Sequence, residues 1–150
     1  MKKPAELREY LLASHPPLKQ NPECLQVFID AGKLQSHVQT SLHFEYQYTL
    51  NILVTDLAAH PNSVLVPMLA WLKHHQIDAS SDAVRFEADI LRKDLIDLSI
   101  TVELTESVLV HQGENGYTTE HLPEPTPEYN LPDPALFNTL YAKDEDMTHG

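Results

Sequence analysis

Residues 42–55 alternate apolar and polar side chains almost without a break: Leu42, Phe44, Tyr46, Tyr48, Leu50, Ile52 and Val54 against His43, Glu45, Gln47, Thr49, Asn51 and Thr55, with Leu53 alone departing from the polar set. Successive side chains of a strand point to opposite faces, so a period of two held this long predicts one strand with an apolar face on a core. At the usual rise it spans on the order of 45 Å, more than a small domain needs, so it is expected to project beyond the core or bend at a bulge. The cleanest alternation lies at 96–105, where Ile96, Leu98, Ile100, Val102 and Leu104 face inward and Asp97, Ser99, Thr101, Glu103 and Thr105 outward. A slip of one residue there would bury Asp97 and Glu103, which fixes the register.

Other segments supply the remaining elements. Residues 4–14 predict a short helix, with Pro4 in its first turn, an apolar stripe of Leu7, Tyr10, Leu11 and Leu12, and a stop at His15-Pro16-Pro17. Leu25, Val27 and Ile29 predict a strand, Gly32 a turn, and residues 33–39 a second short strand. Pro61, Asn62 and Ser63 open a helix whose Leu65, Met68, Leu69 and Leu72 fall at helical spacing, with Trp71 at its edge. Alternation returns at 84–92, and Val108–His111, the turn Gly113-Glu114-Asn115-Gly116 and Tyr117–Leu122 form a hairpin.

The expected fold is therefore α+β, a mostly antiparallel or mixed sheet with one long strand, packed by two helices. Its core is predicted on the face of Phe44, Tyr46, Tyr48, Ile52, Phe86, Ile90, Leu98, Ile100 and Val102, covered by Leu65, Met68, Leu69 and Leu72. A chain of 150 residues with 42% hydrophobic side chains suffices for one such core. The domain is read as residues 1–122. From Pro123 an acidic stretch punctuated by Pro125, Pro127, Pro132 and Pro134 cannot sustain a helix or a ladder, so residues 123–150 read as an extended tail. Within it Ala135–Tyr141 can make about two helical turns, and Leu136, Phe137, Leu140 and Tyr141, with Tyr129 upstream, form an apolar cluster suited to binding a partner. That anchor is expected on an adjacent subunit or another protein, at the end of a proline-stiffened linker.

The chain carries 22 acidic and 10 basic residues, a net charge of −12. With no dense run of Lys or Arg, sequence-specific nucleic-acid binding is excluded and an anionic membrane is repelled, which leaves proteins as partners. A single cysteine, Cys24, permits neither an intrachain disulfide nor a cysteine zinc site. Glu6, Arg8 and Glu9 stand where a signal peptide would be apolar, so the chain is expected to be made soluble in the cytoplasm.

Candidates for chemistry are few. His43 with Glu45, and Glu87 with Asp89, share strand faces and could bind a metal or move a proton in a small enzyme, but polar alternation alone accounts for them. His74 and His75 are neighbours on a helix and diverge by about 100°, so they cannot hold one metal together. Cys24 has no flanking histidine, and 4 glycines are too few for a phosphate-cradling loop. No catalytic residue, metal or cofactor is expected. A small ligand-binding enzyme and a monomeric interaction module stand as the alternatives to an assembly protein.

Several runs together bring a family to view. Val27-Phe28-Ile29-Asp30-Ala31-Gly32, the strand Ser41–Asp56, Ala70-Trp71-Leu72, Phe86–Leu91, Asp97–Val110 and Leu122-Pro123-Glu124-Pro125 resemble, in order over residues 5 to 127, the tail completion protein R family of P2-like contractile-tailed phages. The resemblance implies a structural, non-enzymatic protein of the virion tail, acting at its head-proximal end beside tube, sheath or neck proteins. It also implies a homo-oligomeric ring, commonly hexameric, assembled in the host cytoplasm.

Overall fold

The computed structural model of the chain describes residues 1–125 and 128–141. Helix α1 (Lys3–Ser14) is followed by the short α2 (Pro16–Gln20) and a 3-10 turn (Pro22–Cys24). Strands β1 (Leu25–Ser36) and β2 (Phe44–Leu57) precede helix α3 (Asn62–His75). Strands β3 (Val84–Arg92), β4 (Leu95–Gly113) and β5 (Gly116–His121) lead to a 3-10 segment, Pro134–Tyr141. The sheet has five strands in the order β1-β2-β4-β3, with β5 also on β4, and every pairing is antiparallel. The α+β architecture and the two main packing helices match the alternation and helical spacing that predicted them.

The core lies where the apolar rows of β2 and β4 meet the helices. Leu50 faces Val102, Ile52 faces Ile100 and Val54 faces Leu98 across the ladder, and all six are buried. Leu7 and Leu11 of α1 and Val64, Met68, Trp71 and Leu72 of α3 close over them. Trp71 is fully buried and Leu69 half exposed, contrary to the expectation that Leu69 covers the core and Trp71 sits at its edge. The buried arc of α3 runs Val64, Pro67, Met68, Trp71, Leu72, one residue round from the Leu65–Leu69 row.

Three strands differ from expectation. Residues 25–36 form one strand instead of two with a turn at Gly32: a bulge between Ile29 and Ala31 shifts the phase, and Gly32 lies within the ladder opposite Tyr48. A Cβ on Gly32 would stand 3.3 Å from that of Tyr48, close enough that the two strands would have to give by a few tenths of an ångström. β4, at 19 residues, is longer than β2 at 14. It runs unbroken into the hairpin, because Glu106 occupies an inward position as a buried carboxylate. The third difference concerns β3. Phe86 and Ile90 lie on the sheet face expected to be core, yet are 62% and 76% exposed, because the helical layer ends short of β3.

Candidate assembly surface

The region where the helices and the 3-10 segment meet holds most of the residues picked out in the tail. Tyr129 lies beside the end of α3, its carbonyl accepting from His74 Nδ1 at 2.8 Å and its ring 4.2 Å beneath Lys73 Nζ. Phe137 packs edge-on to Tyr10 of α1 at 6.3 Å, and the Tyr10 hydroxyl donates to the Pro132 carbonyl at 2.7 Å. Burial of that hydroxyl, with Tyr129 and Asp133 nearby, pushes the Tyr10 pKa up to about 12. In the single chain, then, this segment docks on its own α1 and α3.

It does not cover them completely. Leu136 is 71% exposed, Val66 and Leu69 of α3 are exposed, and with Pro132 and Phe137 they line a shallow apolar groove of about 440 Å³. Leu140 is half-buried, and Tyr141 ends the segment, residues 142–150 lying outside the described residues. Sequence reasoning assigned Leu69 to the core and so missed it here, although Val66 and Leu69 sit three apart on one helix face beside the tail cluster.

A polar clamp joins the same helices to the sheet. Lys3 Nζ, buried, donates to Gln76 Oε1 at 2.6 Å, to the Thr105 carbonyl at 2.7 Å and to Glu124 Oε1 at 2.6 Å. Gln76 in turn accepts from the Thr105 N–H and donates to Thr105 Oγ1 and Asp78. Glu106 accepts from the Lys2 N–H at 2.8 Å and from the Tyr48 hydroxyl at 2.5 Å. Desolvation first, and then this bond to a carboxylate, raise the Tyr48 pKa far above its ordinary value. Tyr48 stays a neutral donor, as a structural bond requires.

Elsewhere, the ionisable candidates are engaged in strand and helix contacts. His43 precedes β2 and its Nδ1 accepts from the Val110 N–H at 2.9 Å, while Glu45 accepts from Gln47 Nε2 at 2.9 Å. Glu87 and Asp89 stand exposed on β3 opposite Ser99 and Asp97, in another part of the sheet from His43 and Glu45. His74 and His75, expected to diverge, instead meet edge to face with ring centroids 4.7 Å apart, and His75 also stacks on Trp71 at 4.2 Å, bonds its carbonyl and approaches Glu6 at 3.5 Å. Burial lowers the His75 pKa. Cys24 is half-buried against the core. Among the described residues no three His, Cys, Asp or Glu side chains gather as metal ligands, and no helix is long and apolar enough to cross a membrane.

No solved structure matches the chain. Residues 1–125 match the family described as P2 phage tail completion protein R (GpR). Tail completion protein R of Escherichia phage P2 is 37% identical over 133 residues, covering 85% of this chain and 86% of the relative. With a family match over most of its length and a relative of this identity and coverage, the chain belongs to the P2 phage tail completion protein R family.

Proposed function

We propose that this chain is a structural protein of phage tail completion. It assembles in the host cytoplasm as a homo-oligomeric, hexameric ring at the head-proximal end of a contractile tail, contacts tube, sheath or neck proteins, and works without a catalytic step, metal or cofactor. Family membership and the name of the P2 relative support the tail role. The observation that carries the assembly role is the apolar surface a single chain leaves open, with Val66, Leu69 and Leu136 side by side and exposed. A shallow apolar groove of this kind suits a side chain of a protein partner. Residues 1–122 carry the fold, and the following segment, held on α1 and α3 by Tyr129 and Phe137, offers Leu136 with Leu140 to that partner; the Tyr141 side chain lies outside the described residues.

Complementation of a phage lacking the gene tests both levels. The wild-type chain restores head-joined tails seen by electron microscopy, whereas Leu69→Asp and Leu136→Asp, at exposed positions, leave the melting temperature unchanged and lower the yield. Full yield from both variants would remove the patch from the interface. Failure of the wild-type chain to restore tails would refute the tail role itself.

A further inference from the structure

We infer that copies of this chain join edge to edge, the β3 edge of one subunit pairing antiparallel with the β1 edge of the next. The inference rests on the ring reading above and names the surface that builds the ring. Strand direction is the first argument. Neighbours in the path β1-β2-β4-β3 are all antiparallel, so its two outer strands run in opposite directions. A copy related by rotation about a ring axis brings β3 against β1 with the antiparallel pattern continued. Such a head-to-tail contact can propagate and, where the rotation between copies closes, forms a ring, whereas pairing of like edges stops at a dimer.

Side chains at the two edges complement each other on both faces of the sheet. On the helix side, Phe86 and Ile90 of β3 are exposed, and on β1 Ile29 and Leu34 are 38% and 58% exposed on that same side. An unpaired edge with an apolar face is normally blunted by charge or proline or covered by another element. Here neither strand contains proline.

The opposite face carries charge. Asp89 stands directly across from Asp97, a like-charge pairing that costs stability, and Glu87 adjoins it. Lys33 projects on that same face of β1 and has no ion pair among the described residues. Placing Glu87 opposite Lys33 puts Phe86 opposite Leu34 and Ala88 opposite Gly32, and leaves Arg85 opposite the neutral Gln35. Pairing β3 with a second β3 centred on Ala88 would instead place Glu87 opposite Asp89 of the copy and Asp89 opposite its Glu87.

Light scattering on the full chain over a range of concentrations tests the pairing, with thermal melts as the folding control. Wild type is expected to assemble. F86K/I90K and L34K each spoil one edge and should stay monomeric with the melting temperature of wild type diluted below its assembly concentration, and a 1:1 mixture should form heterodimers joined at the one intact interface. K33E should raise the concentration for half-assembly by about tenfold, in line with a lost interfacial charge pair, and K33E/E87K should restore it. A wild-type chain that stays monomeric throughout would overturn the ring reading and this inference with it. Wild-type assembly matched by either edge variant, L34K homodimers, or absence of rescue by K33E/E87K would overturn the edge pairing while leaving the ring intact.

Discussion

β3 and β4 lie side by side, share a ladder from Val84–Val102 to Ile90–Ile96, and carry the same alternation, yet the inward row of β4 is sealed and that of β3 stands open. Leu98 and Ile100 meet α1 and α3, while their ladder neighbours Ala88 and Phe86 lie beyond the edge of the helical layer. Period-two patterning reports which sheet face a side chain takes. Whether that face is buried depends on what covers it, and in β3 the pattern anticipates a cover that a single chain does not provide.

The comparison breaks most decisively at adjacent positions on this ladder. Leu98→Asp or Ile100→Asp places an unpaired carboxylate in the core and should abolish the cooperative melt, whereas Phe86→Asp or Ile90→Asp should keep the melting temperature close to wild type. Unfolding by Phe86→Asp would mean that β3 is covered within one subunit. α3 repeats the contrast on a smaller scale: Trp71→Ala should cost about 3–5 kcal/mol in chemical denaturation and Leu69→Ala less than about 0.5 kcal/mol. Comparable losses would reverse the assignment of the helix faces.

A smaller effect is expected at the clamp. Lys3→Met removes three charge-assisted bonds while retaining much of the buried stem, and should lower stability by about 1–3 kcal/mol in the same assay. An unchanged midpoint would show that Gln76 and Glu124 find equivalent partners without it. The smallest is the effect of pH. His15 is buried, its Nδ1 accepting from the Leu18 N–H and its Nε2 bonded to Ser63 Oγ at 2.9 Å, and burial lowers its pKa. With the folded-state value below the ordinary one, its contribution to stability is complete above pH about 6.5 and is lost as pH falls toward the folded-state value. Melting temperature should therefore drop between neutral and mildly acidic pH, with a shallower slope in His15→Gln. An unaltered slope would assign the dependence to other groups, His75 first.

What the sequence made legible was local. Alternation placed β2, β3 and the central part of β4 within a residue or two, and proline and glycine marked α1 and the β4–β5 turn. It failed where a long-range contact reinterprets a residue. Glu106 looks like the end of a strand until Tyr48 and the Lys2 N–H meet it inside, and Gly32 looks like a turn until the ladder places it opposite Tyr48. Leu69 and Trp71 were exchanged because helical spacing alone leaves the burial arc uncertain by about one residue's rotation. Of the candidate site, the apolar tail cluster was visible in composition, but its continuation onto Val66 and Leu69 depends on where the chain folds back.

Lys3 and Glu124 meet across a separation of 121 positions. At ordinary rates of translation the second is made on the order of ten seconds after the first, so α1 leaves the ribosome long before the carboxylate, the Thr105 carbonyl and much of the sheet that receive it exist. Its apolar stripe can meet α3 once residue 75 is out, but the clamp that ties α1 to β4 and to Glu124 closes only with the last third of the chain. The fastening of the first helix to the sheet is thus the last step in building the monomer, although both edge strands, β1 and β3, are made before it.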